Sequence, residues 1–497
     1  MGRLPAGLLG CRSAAPTSGR FQAGARNVVS ESIDTAVVLA AGLGTRMRST
    51  LPKVLHEVCG LPLLGHVLAA VSAAGANRIV VVVRPGQGEA VASLLPPGAV
   101  IAVQETQRGT GDALLAAAEH LGEGSVLVVP GDTPLLTSVT LLGLIEARTN
   151  TGADAVVLTL VPPDPTGYGR VVRDGLGDVE RIVEHRDATA AELEIHEVNA
   201  AAYVLPGRET VELLRGLEAD NEQGELYLTD VVGALRAQGR RVAAHVAADY
   251  RDALGINTRV ELADAQAVMR ERILRRWMLL GVTVDDPAST HVDATVELEP
   301  DVRILPFTSL RGRTRVARGS EIGPASTLVD TMVGSDCRVR HSYTDGAVLE
   351  AGAQVGPFSY LRPEAHLLEA SKAGAFVEIK KSTVGRSSKV PHLSYIGDAT
   401  IGTNTNIGAG NITANYDGRR KHRTIIGDNV KTGSDTVFVA PVTVGDGTTT
   451  GAGSVITKDI PEGALGIARA RQRNIAHYGA PSKSAAETGD GQGGSDE

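Results

Sequence analysis

From about residue 35 to residue 250 the chain alternates short β-branched apolar runs with longer Ala/Leu-rich stretches of helical period. Strands are expected at 36–39, 78–83, 100–103, 125–130 and 155–160, with helices at 63–74, 88–95, 113–120 and 139–148 between them. Such alternation encodes a mostly parallel sheet with helices on both faces. Ligands of such sheets bind beyond the carboxyl ends of the strands, where Gly42 and Gly131-Asp132 would lie. Residues 259–280 contain neither Gly nor Pro and place Leu262, Ala265, Met269, Ile273 and Trp277 on one face. At roughly 1.5 Å per residue this single helix spans about 30 Å, enough to link two domains. Beyond Gly281 short aliphatic residues followed by glycine return at six-residue steps. Ile322-Gly323 leads to Leu328, Val333-Gly334 to Val339, Val384-Gly385 to Val390 and Ile401-Gly402 to Ile407-Gly408, with Phe438, Val444-Gly445, Thr450 and Ile456 in the same register. This is the pattern of a parallel β-helix, in which aliphatic residues of successive rungs stack in the interior.

The length of 497 residues exceeds one core and fits about two to four domains. A net charge of −8, with no Lys/Arg cluster of the nucleic-acid type, removes DNA and RNA from the expected partners. Cys11, Cys59 and Cys337 are odd in number and far apart, so neither a disulfide framework nor a Cys-x-x-Cys site is encoded, and a reducing, cytoplasmic setting is expected. No apolar run reaches the ~18 residues of a membrane span, so no membrane association is expected, and 4–10 is too short for a signal-peptide core. Residues 1–33 carry Arg3, Arg12, Arg20 and Arg26 with no acid before Glu31, a transit-peptide-like composition. Because the first strand begins near Thr35, a disordered extension is the expectation there, and a disordered tail over 481–497. The expected domains are then 34–258, a linker helix at 259–281 and a β-helix over 282–480.

Chemistry concentrates in two places. The first apolar strand runs into Gly42-Leu43-Gly44-Thr45-Arg46-Met47, followed by Leu51-Pro52-Lys53. Glycines at 42 and 44 let backbone N–H groups turn toward an anion, and Arg46 and Lys53 add mobile positive charge. A Walker loop would end in Gly-Lys-Ser/Thr and a dinucleotide fingerprint needs a glycine where Met47 stands, which leaves a loop for a nucleoside triphosphate. The plainer alternative is a tight strand-to-helix turn with two solvated cations. The polar turn from Gln104 to Asp112 is suited to reading a base by amide and backbone hydrogen bonds, and Asp132, just past an apolar strand, can hold a hard cation against phosphate oxygens. Gly167-Tyr168-Gly169-Arg170, Ile182 to His185, Glu197-Val198-Asn199 and Gly255-Ile256-Asn257 each fit a hairpin or cap as well as a ligand contact. Their order along the chain carries the argument.

In the repeat half, Tyr360 to Pro363, Phe376 to Lys381 and Lys389 to Asp398 interrupt the hexads with charged and aromatic residues for which a β-helix has little structural use. His392, a residue type that titrates near neutrality, can take a proton from an attacking amine while Arg362 and Lys380 hold an anionic group. Taken alone, a histidine on a polar loop is an idle surface residue. The segment 411–421 bulges from the register and can complete the pocket.

Together, Leu39-Ala40-Ala41-Gly42-x-Gly44-Thr45-Arg46-Met47, Pro52-Lys53-Val54-Leu55-His56, Gly167-Tyr168-Gly169-Arg170, the long helix and the hexapeptide repeat resemble the bacterial bifunctional N-acetylglucosamine-1-phosphate uridyltransferase/glucosamine-1-phosphate N-acetyltransferase family over about residues 35–478. The resemblance implies an α/β Rossmann-like nucleotidyltransferase domain joined by a long helix to a left-handed parallel β-helix that forms a homotrimer. It implies that Leu39, Ala40, Ala41, Gly42, Lys53, Gln104, Gly109, Thr110, Pro130, Gly131 and Asp132 contact UTP or UDP-N-acetylglucosamine. Gly169, Glu184 and Asn199 would surround the sugar, and Asp132 and Asn257 would hold Mg²⁺. A phosphate oxygen of N-acetylglucosamine 1-phosphate would attack the α-phosphorus of UTP and release pyrophosphate, with Arg46 and Lys53 offsetting the charge.

In the second domain the resemblance places Arg362, Lys380, Tyr395 and Asn406 on glucosamine 1-phosphate and makes His392 the general base. Ala409, Asn415, Tyr416, Ser434, Ala452 and Arg469 match the acetyl-CoA positions. The product, UDP-N-acetylglucosamine, would feed peptidoglycan and other envelope precursors. Pro130, Leu61 and Ala414 depart from residues frequent in the family, which leaves fine nucleotide contacts open but not the reaction. Two other readings stand beside this one: a sugar-nucleotide pyrophosphorylase with a regulatory β-helix, and a non-catalytic assembly scaffold. Lys53 and Asp132 speak against the scaffold, and His392 with Arg362 and Lys380 against the single activity.

Overall fold

The computed structural model describes residues 33–218, 221, 224–476 and 478–479, so the expectations for 1–32 and 481–497 lie outside the described residues. The chain separates into two units, one built from 33–56 and 62–259, the other from 57–61 and 260 onward.

The first unit is organised by nine strands: β1 Thr35–Leu39, β2 Arg78–Val83, β3 Val100–Val103, β4 Ser125–Pro130, β5 Ala155–Leu160, β6 Arg170–Arg173, β7 Val179–Val183, β8 Val198–Pro206 and β9 Val242–Val246. The sheet order is β9-β5-β8-β4-β1-β2-β3, with β6 and β7 forming a hairpin attached to β8. β1 pairs in parallel with β2 and β4, whereas β8 runs antiparallel to both β4 and β5. In β2 every residue from Ile79 to Val83 is buried; Val81 and Val83 pack on one face, Val80 and Val82 on the other. That continuous apolar run reflects helices on both faces of the sheet. Each such side chain contributes about 1.5–3 kcal/mol of burial.

Helices follow at Leu63–Ala73, Gly88–Ala92, Thr110–Ala116 and Ser138–Thr151. The helix expected at 88–95 stops at Ala92, ahead of Pro96-Pro97. The one expected at 113–120 starts earlier, behind Gly109 (φ 108°), and gives way to a separate 3-10 turn at Ala118–His120. Ser138–Thr151 is bounded by Thr137, whose side chain accepts the Thr140 N–H, and by left-handed Gly152.

From residue 260 the second unit continues along a helix, Arg259–Leu279, whose buried side chains are Ala265, Leu274 and Trp277; of the expected face, Leu262, Met269 and Ile273 are only half-buried. A parallel β-helix follows, with three sheets of seven, ten and nine strands. Aliphatic columns such as Ile304-Ile322-Val339-Val355 and Leu310-Leu328 run up the interior in register. At one corner Phe307, Ala325, His341, Phe358, Phe376 and Leu393 occupy the left-handed region on successive rungs, a conformation uncommon outside glycine. Buried hydroxyls satisfy the corner carbonyls: Thr308 donates to Leu305 O, Thr314 to Arg311 O and Ser394 to His392 O, at 2.7, 2.7 and 2.8 Å. The register widens once. Lys389 and Asn406 are 17 residues apart on adjacent rungs, but Asn406 and Lys431 are 25 apart, and the excess forms the expected bulge. Among the described residues no helix is long and apolar enough to cross a membrane.

Candidate functional site

In the first unit the parallel strands end side by side. Ala40 N–H donates to Val82 O, Gln104 N–H to Val83 O and Gly131 N–H to Leu39 O, each at 2.8 Å, so the segments after β1, β3 and β4 share one rim. A cavity of about 440 Å³ opens there. Leu39, Ala40, Ala41, Gly42, Lys53, Gln104, Gly109, Thr110, Pro130, Asp132, Glu184 and Asn199 line it. Gly131 supports the wall from behind, and Gly169, Asn257 and Arg46 reach the site through bonded neighbours.

The two loop glycines differ in their surroundings. Gly42 does not have a left-handed φ, and a Cβ there would meet nothing within 4 Å. It leaves room on the ligand side. The left-handed residue is Gly44 (φ 64°), whose Cβ would fall 2.7 Å from Lys53 Cβ, so the backbone is held against that lysine. Gly109 is required outright, since a Cβ would sit 2.4 Å from Leu226 O. Gln104 is buried and its amide donates to Gly109 O (3.1 Å) and Asp112 Oδ2 (2.9 Å), which fixes the turn that carries Thr110.

Four segments meet at the cationic end. Lys53 Nζ donates to Asp132 Oδ2 and to Asn257 Oδ1 (3.0 Å), and Arg46 Nη2 donates to the same Asn257 oxygen (2.9 Å). Ile256 N–H on Asp132 O (3.0 Å) anchors the Asn257 turn to the strand end. Two oxygen donors thus converge on one positive group, a set that suits a hard divalent cation completed by phosphate oxygens and water. Among the described residues no cluster of three or more His, Cys, Asp or Glu is arranged for a metal.

At the sugar end β8 is bulged between Asn199 and Tyr203, with Ala201 at φ 56°. The bulge lets Asn199 Nδ2 donate to Tyr203 Oη (2.7 Å), while Asn199 N–H donates to Gly169 O (2.9 Å). Glu184 accepts from Thr229 Oγ1 (3.2 Å). Burial raises its carboxyl above the usual range; the Thr229 bond opposes this, while Asp187 and Asp230 reinforce it. Tyr203 and Thr229 belong to the cavity wall but escaped sequence reasoning. Tyr203 reads as an ordinary core aromatic, and only the bulge turns it inward.

The β-helix distributes its candidates over two corners. Arg362 and Lys380 follow Leu361 and Ile379 at the end of consecutive strands, and Arg362 Nη1 donates to Glu378 Oε1 (2.9 Å). The bulge's end lies at this cluster, where the Lys380 side chain bonded to Lys421, and its charge, push Lys421 below the usual lysine range. Asn415 is buried and donates to Asp398 Oδ2 (2.6 Å), whereas Tyr416 is exposed. His392 lies elsewhere, exposed at the end of strand Lys389–His392. Above it Gly410 N–H bonds His392 O, Asp435 N–H bonds Ala409 O and Gly453 N–H bonds Ser434 O, so His392, Ala409, Ser434 and Ala452 climb one corner rung by rung. Asn406 faces outward beside Ala409, and Arg469 is exposed past the strand Leu465–Gly466.

Comparison with known proteins agrees with this division. Residues 36–195 match the MobA-like NTP transferase domain and residues 423–458 the bacterial transferase hexapeptide (six repeats). The chain therefore carries a nucleotidyltransferase and a hexapeptide-repeat acyltransferase. It is 50% identical over 445 residues to the Bifunctional protein GlmU of Streptomyces avermitilis, covering 88% of this chain and 92% of the relative. The corresponding protein of Streptomyces coelicolor is 51% identical with the same coverage, and that of Thermobifida fusca 48% identical over 91% of this chain and 96% of its own length. The chain belongs to the bifunctional GlmU family. It is a uridyltransferase and acetyltransferase in one polypeptide, its β-helix is left-handed, and its nucleotidyltransferase half is of a kind that works with a divalent metal on small-molecule substrates.

Proposed function

We propose that the second unit acetylates glucosamine 1-phosphate with acetyl-CoA and that the first transfers uridylyl from UTP to the resulting N-acetylglucosamine 1-phosphate, releasing pyrophosphate. The domains would be 34–258, 259–281 and 282–480, and the enzyme would serve envelope precursor synthesis in the cytoplasm. The observation that carries the uridylyl step is the convergence of Lys53, Asp132, Asn257 and Arg46 at the rim of the cavity. Gln104, Gly109 and Thr110 bind the base, and Glu184, Asn199 and Gly169 hold the sugar. Lys53 and Arg46 orient the triphosphate and offset charge as the α-phosphorus is attacked. Asp132 and Asn257 would hold Mg²⁺, which supplies Lewis-acid neutralisation of phosphate oxygens when bound.

For acetyl transfer, His392 removes the proton as the amine attacks the thioester, Arg362 and Lys380 hold the sugar phosphate, and Tyr395 and Asn406 position the ring. Ala409, Asn415, Tyr416, Ser434, Ala452 and Arg469 follow the acetyl-CoA. His392 and the Arg362–Lys380 pair occupy different corners of one chain, so a complete site takes a second copy. A homotrimer is supported by the exposed ridge of Phe307, Phe358, Phe376 and Leu393, where Phe358 and Phe376 stack at 5.2 Å.

Incubating the purified chain with glucosamine 1-phosphate, acetyl-CoA, UTP and Mg²⁺ tests the scheme. UDP-N-acetylglucosamine must appear, and omitting acetyl-CoA must abolish it. Product formed from N-acetylglucosamine 1-phosphate alone, with no acetylation, would reduce the β-helix to a regulatory element.

A further inference from the structure

One face of the β-helix changes character along its length. On its first rungs, outward charges alternate and pair. Arg303, Glu321 and Arg338 stand in register; Arg303 bonds Asp285 (2.8 Å) and Glu321 bonds Arg340 (2.7 Å). Further up, the same column reads Lys372, Lys389, Asn406 and Lys431, each in register with the next, and no acidic residue interrupts it. None of these three ammonium groups has an ion pair or a side-chain hydrogen bond among the described residues. Adjacent rungs lie about 4.8 Å apart, so Lys372 and Lys389 emerge side by side and Lys431 about 10 Å beyond Lys389. Like charges directly in register destabilise a sheet. A bound anion reverses that penalty.

The position of the column selects the anion. Three residues after Lys389, Asn406 and Lys431 come His392, Ala409 and Ser434, the corner column proposed above for proton removal and the acyl donor. We propose that Lys389 and Lys431, backed by Lys372, form a phosphate track that holds the phosphate groups of the coenzyme A thioester alongside that corner. This rests on the acetyl-transfer reading. The track supplies affinity and leaves the chemistry at the thioester to His392, since an ammonium on a flexible stem acts on phosphate as a point charge.

The test compares acetyl-CoA with the acetyl thioester of N-acetylcysteamine, which carries the same reacting group and no phosphate, in the full-length protein and its Lys389→Gln/Lys431→Gln variant. The expected result is a KM for acetyl-CoA raised about tenfold at low salt, a weaker salt dependence of that KM than in the parent, and kcat/KM for the phosphate-free thioester within about twofold of the parent. An unchanged KM for acetyl-CoA overturns the proposal. So does an equal loss with both donors, or a change in oligomeric mass by light scattering, either of which assigns the lysines to structure. A parent protein that acetylates glucosamine 1-phosphate from neither donor overturns the acetyl-transfer reading itself, and the track with it.

Discussion

In the first unit Arg46, Lys53, Asp132 and Asn257 come from separate segments and meet within hydrogen-bond reach, at the rim of a cavity lined by one chain. In the second, His392 and the Arg362–Lys380 pair sit on different corners of the β-helix. The difference is architectural. Parallel strands covered by helices all end on one side, so the loops that follow them crowd together and enclose a volume. A β-helix repeats one rung, so its outward residues fall into straight columns that leave only open hollows, such as those of about 380 Å³ beside Tyr395 and about 310 Å³ beside Lys421, and fuller enclosure is expected from another copy. The α/β unit is thus expected to work alone, and the β-helix only when assembled.

The sharpest way to break this comparison is His392→Ala. Loss of a general base costs about 10²–10⁴-fold, so acetyl transfer should fall by that order while uridylyl transfer persists; near-normal acetylation from pH 6 to 9 would make another group the base. Asp132→Asn should have the converse effect, a loss of about 10²–10³-fold in uridylyl transfer with acetyl transfer intact, and chelation of divalent metal should reproduce it. Equal loss of both activities would contradict the separation of the two sites.

A subtler outcome concerns assembly. If each acetyl site takes its base from one copy and its anion clamp from another, co-assembling His392→Ala with Arg362→Ala chains restores intact sites at roughly a quarter of the interfaces. Acetyl transfer should then exceed that of either variant several-fold. No recovery in verified mixed oligomers would place both corners in one chain's site.

The smallest effect is a stability change in the first unit. Burial raises Glu184, so protonation favours the folded form; its contribution is full below the unfolded glutamate range and is lost as pH rises through the folded value. Glu184→Gln should therefore raise Tm at pH 7, with the gain vanishing in acid below about pH 4, while it weakens sugar binding. A Tm difference that does not depend on pH would remove the buried charge as its cause.

Much of this was legible in the chain. The strands at 78–83, 125–130 and 155–160 occur with those limits because a strand buried on both faces is an unbroken apolar run, while 100–103 also occurs with its expected limits, as the edge strand with Val103 exposed. The hexads were equally plain, since the interior columns are filled mostly by aliphatic residues, with Phe438 and buried threonines such as Thr344 and Thr413 at a few rungs. Helix ends were less so: Gly109 and Leu226 decide where Thr110–Ala116 begins, and that contact spans a long stretch of sequence. In the site, strand-end residues such as Gln104 and Asp132 could be named because their place follows from strand order. Tyr203 and Thr229 could not, because a bulge at Ala201 and the packing of a distant turn bring them in.

What the sequence determined by itself is periodic and local: two architectures, their boundary helix, and the residue types able to bind phosphate or move a proton. Apolar spacing dictates which face is buried, and glycine and proline dictate where the chain turns. What only the tertiary structure decided is convergence. That the Lys53 ammonium is shared by Asp132 and Asn257, that Gly44 rather than Gly42 is the strained position, and that His392 stands apart from Arg362 all depend on contacts between segments far apart in the chain. No local pattern encodes such contacts, because they are set by packing of the whole unit.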